Sequence, residues 1–310
     1  MISPTLAPDH LQASEDFSNA RKKAILSRIQ HFMNADRDKL LSFNDVKEIL
    51  KPRNQVYLGM QAVPINKIVG SEGRYRDFNK YFFPRSEHLR ARWERVDIAK
   101  IRDIPLPAIQ LYEIGGAYFV RDGNHRVSVA RSQGAEEIDA EVTSLSSEIA
   151  IDLSMTADDL REALIEYEKK IFFDKTSFGT LTGDNNLDFT QPGSYDVIYN
   201  HILVHKYYLN QNQDGEIPFA QALVSWYRNV YTPIIQIIEG DLLCANFPGR
   251  KPGDLYVWIV KHWDFLKKKN RQYPVVEAAR DFSTKYGNSD GRFFRLLSML
   301  ITKILNRKRS

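Results

Sequence analysis

In Ala117-Tyr-Phe-Val-Arg-Asp-Gly-Asn-His-Arg-Val-Ser-Val-Ala-Arg-Ser-Gln-Gly134 three local patterns follow one another without a gap. Tyr118 to Val120 reads as a short apolar strand, Asp122-Gly123-Asn124 as a tight polar turn, and a helix opens near His125 and closes at Gly134. Strand, turn and helix in this order suit an anion. A glycine lets the backbone approach closely, the first helical turn presents unpaired N–H groups, and the macrodipole adds positive charge. Arg126 and His125 add side-chain donors, and the planar fork of arginine matches phosphate oxygens. By itself Asp-Gly-Asn-His-Arg is a weak motif, and a phosphate or nucleotide site and a plain strand-to-helix turn both remain open on local chemistry.

Working outward, the segment before this element holds strands at Val56 to Met60 and Gln61 to Val69. A glycine- and charge-rich loop follows over Gly70 to Asp77, then a helix from Ser86 to Lys100. Ile104 to Tyr112 enters a strand, Gly115-Gly116 turns it back, and Glu137 to Val142 adds one more strand after the central helix. The order predicts an α+β domain over residues 55–147. Ahead of it, residues 1–54 hold a loose tail to residue 14, an amphipathic helix from Ser18 to Phe32 and a second helix from Ser42. Beyond it, residues 148–310 predict an all-helical domain. Its helices fall at Thr156 to Phe173, Tyr195 to Leu209, Pro218 to Glu239, Asp254 to Lys269, Val275 to Tyr286 and Phe293 to Arg309. Residues 176–194 read as a flexible loop.

The 310 residues, with 43% hydrophobic and 12% aromatic content, support packed cores. A net charge of only +4 does not demand a polyanionic partner, so local patches must carry any such argument. The single Cys244 excludes an intramolecular disulfide and a multi-cysteine metal site. No apolar run reaches about 18 residues and the first 36 residues lack a signal-peptide core. The expectation is a soluble cytoplasmic protein without a transmembrane segment.

Three segments taken together resemble the ParB/sulfiredoxin-like domain. Val63-Pro-Ile-Asn-Lys-Ile-Val-Gly-Ser-Glu-Gly-Arg-Tyr-Arg76 is similar to the opening strand and arginine loop of ParB's first box, with Arg76 at the position of its arginine. Pro105 to Leu111 is similar to the strand before the hairpin, and Gly123-Asn-His-Arg-Val-Ser-Val-Ala130 to the second box. The resemblance covers about residues 55 to 145, and it extends to a group of bacterial proteins with a ParB-like domain and a helical C-terminal half. It implies binding of a nucleoside triphosphate, CTP or ATP, with or without magnesium, through Gly123, Asn124, His125 and Arg126, with Arg76 reaching in from the first box.

The departures from the pattern narrow the chemistry. ParB's glutamate falls at Asn124 and its later arginine at Ser128, which puts CTP hydrolysis in the ParB manner in question; sulfiredoxins carry a cysteine where Asn124 stands, which excludes their thiol chemistry. The Asp-Gly-His-His-Arg turn of ParB-like serine kinases is nearer to Asp122-Gly-Asn-His-Arg, and there Glu72 and Asp122 become the carboxylates for magnesium or for activating a hydroxyl. The expected function is a nucleotide-responsive regulator or DNA-associated switch. The alternative is a small-molecule kinase or NTPase, and a nuclease ranks last because no multi-carboxylate metal set is evident.

Other constellations have a structural reading beside the functional one. Arg74, Arg76, Arg85, Arg90 and Arg92 form either a surface network with neighbouring acids or a cluster around a phosphate. His201 and His205 stand four apart on one helical face but lack the glutamate of a zinc protease, so helix packing is the expectation, and no metal site is assigned. The tyrosines and tryptophans from Trp226 to Trp263 read as a helical core. Lys267 to Arg271 and the acid-free run from Arg292 to Arg309 can meet DNA phosphates, an anionic surface or a second copy in a homodimer. No helix-turn-helix spacing supports sequence-specific DNA recognition.

Overall fold

The computed structural model describes residues 7–211, 215–267 and 273–286. The chain divides into two compact units, residues 1–164 and 165–310. The boundaries expected at 54/55 and 147/148 both fall inside the first unit.

The first unit combines helices with a six-stranded mixed sheet. Its strands are β1 (Leu41–Ser42), β2 (Gln55–Pro64), β3 (Ile68–Ser71), β4 (Ile109–Ile114), β5 (Ala117–Asp122) and β6 (Glu137–Leu145), in the spatial order β1-β3-β5-β4-β6-β2. The β4–β5 and β2–β6 pairs are antiparallel and the other three are parallel. Val56 to Pro64 is one continuous edge strand with a bulge between Tyr57 and Gly59, and a short 3₁₀ turn at Ile65–Lys67 separates it from β3. The two strands read from the sequence therefore have different bounds. The alternation that suggested a second strand from Gln61 belongs to the end of the first.

Helix α1 (Pro8–Gln30) starts well before Ser18, because Pro8 at the first helical position is preorganised for the turn and needs no N–H partner. Its buried stripe is Ala13, Phe17, Ala20, Ala24 and Ser27; Ile25, Ile29 and Phe32, which share the apolar period from Ser18 to Phe32, are exposed. Small residues let α1 approach α3 (Arg90–Ile101) closely, with Phe17 edge-on to Trp93 at 5.6 Å. Trp93 is fully buried and its indole N–H donates to Ser128 Oγ at 2.8 Å, tying α3 to α4 (Asn124–Ser132). Burying a side chain of this size is worth ~1.5–3 kcal/mol or more, and the paired N–H keeps that gain. Between β1 and β2, α2 (Phe43–Leu50) is capped by Ser42, whose Oγ accepts from the Asp45 N–H, and Phe43 stacks on Tyr112 at 4.3 Å.

The second unit, among the described residues, is helical. Helix α5 (Ala157–Thr176) opens on a reciprocal cap, Thr156 Oγ1 accepting from the Asp159 N–H and Asp159 Oδ2 from the Thr156 N–H, and runs into this unit. The segment read as a flexible loop instead holds α6 (Phe178–Thr182) and buries Phe178, Leu187 and Phe189, because its few aromatic and aliphatic residues are enough to anchor the intervening polar turns. Then follow α7 (Ser194–Asn210), α8 (Phe219–Trp226), α9 (Thr232–Gly240), α10 (Pro252–Lys267) and α11 (Val275–Tyr286). A π-helical turn, Tyr227–Tyr231, joins α8 to α9 just before Pro233, which cannot supply an N–H to a regular ladder. No helix of the described residues is long and apolar enough to cross a membrane. The basic runs at 268–271 and 292–309 lie outside the described residues.

Candidate functional site

The β5–α4 junction is built as its residues require. Gly123 caps the helix at φ +109°, a left-handed conformation, and a Cβ there would lie 2.4 Å from Ile109 Cγ2. Both backbone angle and space demand glycine. No side chain caps α4 and no acid stands in its first turn, so its leading N–H groups keep their positive field for an outside acceptor.

A cavity of about 310 Å³ opens at this junction. Arg74, Arg92, Arg121 and Arg126 line it, against Asp122 as the one carboxylate. Arg126 is fixed: its guanidinium donates to the carbonyls of Pro107 and Ala108 and pairs with Asp122. Arg74 is fixed from the other side, Nε to Asp77 Oδ2 at 2.8 Å and Nη1 to His125 Nε2 at 3.0 Å. Arg92 and Arg121 make no ion pair among the described residues, and Arg121 lies 5.7 Å from the Tyr112 ring centre. Four guanidiniums around one small cavity, offset by Asp122 on its wall and by Asp77 behind Arg74, leave a net positive field that an anion would relieve.

His125 is buried and edge-on to Phe78. Burial, with the Arg74 and Arg92 cations next, pulls its pKa down to about 4, so the ring is neutral near pH 7. Because Nε2 accepts from Arg74, the proton sits on Nδ1, which has no partner among the described residues. The ring orients Arg74; its second nitrogen is enclosed. Asn124 Oδ1 is likewise buried and unpartnered among the described residues.

The residues singled out in the sequence thus separate. Asp122, Gly123, Asn124, His125 and Arg126 all line the cavity. Arg76 does not: it is exposed, its guanidinium 5.5 Å from the Tyr75 ring centre, and Arg74 takes the inward place two residues earlier. Glu72 is also not among the lining residues; its backbone N–H bonds to Val120 O in the sheet. Arg85 and Arg90 belong to the framework, Arg85 pairing with the buried Asp38 at 2.7 Å and Arg90 with Glu94 at 3.0 Å. Arg121 escaped notice in the sequence, although its place between buried Val120 and the turn marks it as outward-facing on the strand.

In the second unit, His201 and His205 do not converge on a metal. His201 Nδ1 lies 3.3 Å from Tyr256 Oη and His205 Nε2 3.0 Å from Ser225 Oγ. Among the described residues no group of three or more His, Cys, Asp or Glu side chains is placed to hold a metal ion. Comparison with protein-family models, with curated proteins and with solved structures finds no match to this chain.

Proposed function

We propose that the arginine-lined cavity of the first unit binds the phosphates of a nucleotide, and that the protein uses this as a nucleotide-responsive regulator. The observation that carries the reading is the convergence of Arg74, Arg92, Arg121 and Arg126 on the uncapped start of α4. Backbone N–H groups and guanidinium forks together are the usual recognition set for phosphate oxygens. The resemblance of residues 55 to 145 to the ParB/sulfiredoxin-like domain points to the same turn and to CTP or ATP as the ligand. A magnesium ion accompanying the phosphates would find Asp122 as its protein carboxylate here, consistent with magnesium's habit of riding on substrate phosphates and water. Phosphoryl transfer has less support, since the one carboxylate on the cavity is ion-paired to Arg126 and is not poised to take a hydroxyl proton. DNA or a second copy as the partner of the switch would be met through the basic runs near residues 268–271 and 292–309.

The test is calorimetric titration with CTP, ATP, ADP and GTP plus magnesium, repeated on Arg92→Ala and Arg126→Ala. Micromolar binding weakened by both substitutions supports the reading, and the preferred base separates a CTP switch from an ATP-dependent protein. Absence of binding by all four nucleotides would reduce the junction to a structural turn.

A further inference from the structure

A second cavity, of about 530 Å³, adjoins the first and shares Val96, Leu106, Pro107 and Arg126 with it. Its character is different. The floor is aliphatic, with Ile109, Val129, Ala130 and Ile138, and the rim carries the carboxylates of Asp103, Glu137 and Asp139. Three large apolar side chains on this cavity are left open to water: Met60 at 58% exposure, Ile104 at 50% and Leu106 at 41%. They come from the edge strand β2 and from the Ile104-Pro-Leu-Pro107 segment, elements distant in sequence, and they meet at one concave place. Arg126 holds that segment against α4 through the carbonyls of Pro107 and Ala108, so the wall between the cavities is pinned.

We infer that this second cavity seats the nucleoside part of the ligand whose phosphates lie among the arginines, an inference that rests on the nucleotide reading above. A nucleotide is bipolar in the way the paired cavities are: a polyanion at one end, and at the other a flat apolar-faced base and sugar edged with N–H and O–H donors. The arginine cavity suits the first end. Met60, Ile104 and Leu106 supply apolar surface for the faces of a base, and acceptor-only carboxylates at the rim suit ribose hydroxyls and ring amino groups. Arg126 stands where the two ends join. The ligand would cover the three exposed side chains, which gives their placement a physical reason.

The experiment compares a probe with phosphates alone against probes that also carry a nucleoside. Tripolyphosphate, ATP and CTP are titrated calorimetrically into the full chain and into the double variant Met60→Ser/Ile104→Ser, whose sites line only the second cavity, are exposed, and lose their apolar surface without adding charge beside the arginines. In the unaltered protein ATP or CTP should bind at least roughly tenfold more tightly than tripolyphosphate. In the variant the nucleotides should fall to the level of tripolyphosphate, whose own affinity stays unchanged. Equal binding of all three probes by the unaltered protein, or a nucleotide advantage that survives in the variant, would overturn the inference while leaving the phosphate site standing. Failure of tripolyphosphate and nucleotides alike would overturn the phosphate reading itself, and this inference with it.

Discussion

Two histidines, His125 buried in the first unit and His201 half-buried in the second, share a titration shift and differ in everything around them. Burial pulls both His125 and His201 down to about pKa 4. His201 lies beside the Tyr256 hydroxyl, to which Trp226 also donates at 3.1 Å, inside a helical interior of aromatic rings. His125 leans on Arg74 at the wall of a cavity with three further arginines, and leaves Nδ1 without a partner among the described residues. A perturbed group alone therefore does not mark a site. What distinguishes the β5–α4 junction is cationic charge that Asp77 and Asp122 offset only in part, whereas the helical interior, among the described residues, satisfies its buried polar side chains from within.

The largest expected effect lies on the helical side. If that interior is packing, Trp226→Ala should cost about 3–5 kcal/mol in denaturant unfolding, through the lost ring and the cavity left behind. A cost below ~1 kcal/mol would mean that the aromatic cluster is not what holds the second unit together. On the sheet side Gly123→Ala should cost about 1–3 kcal/mol from the left-handed backbone alone, with the Ile109 overlap adding to it. Little change in unfolding midpoint would show that the turn relaxes freely and is not a rigid cradle.

Binding sharpens the contrast further. Arg92 makes no ion pair among the described residues, so Arg92→Ala should leave stability nearly unchanged yet weaken phosphate binding roughly tenfold, in line with ~1.5 kcal/mol for a charged hydrogen bond. Weakened stability with unchanged binding would place Arg92 in the framework beside Arg85 and Arg90.

Within the first unit, two buried groups pull the pH profile in opposite directions, and substitution separates them. His125 has a folded pKa of about 4, below its ordinary 6.5, so its contribution is whole above pH 6.5 and is lost as the pH falls toward 4, where the unfolded chain takes up the proton first. The buried Asp97, raised to about 6 by its burial and by Asp16, runs the other way, adding stability as pH falls from 6 toward 3.8. The informative quantity is therefore the difference between the unaltered protein and His125→Gln. That difference should shrink as the pH is lowered from 6.5 to 4, and a flat difference would contradict the neutral, buried ring. The smallest effect belongs to Arg76→Ala, expected within ~0.5 kcal/mol in stability and without influence on tripolyphosphate affinity. A marked loss would restore Arg76 to the place that Arg74 occupies here.

These contrasts also show what the sequence could carry. The strand, turn and helix at residues 117–134 were readable because each had a local cause: alternating apolar residues, a glycine at a sharp turn, and a helical apolar period. The helices α2, α5 and α7 had caps or periodic stripes of the same kind. The early start of α1 was not readable from polarity, since its buried face is mostly alanine and serine, and the order in the 176–194 segment depended on Phe178, Leu187 and Phe189 joining the core of the second unit, with Phe178 edge-on to Tyr227. At the junction, residues adjacent in sequence share the cavity wall because the turn forces them together. The choice between Arg74 and Arg76 was not local. It depends on which side chain meets His125 and Asp77 across the loop, and a shift of two residues in a glycine- and charge-rich segment is invisible to pattern.

The most direct measurement of the central claim is the calorimetric titration of tripolyphosphate into the unaltered protein and Arg92→Ala. A phosphate site at the start of α4 requires micromolar binding by the first and an affinity lower by roughly tenfold in the second, with both folded alike. No heat of binding in the unaltered protein, or equal affinity in the two, would contradict a phosphate site at the start of α4.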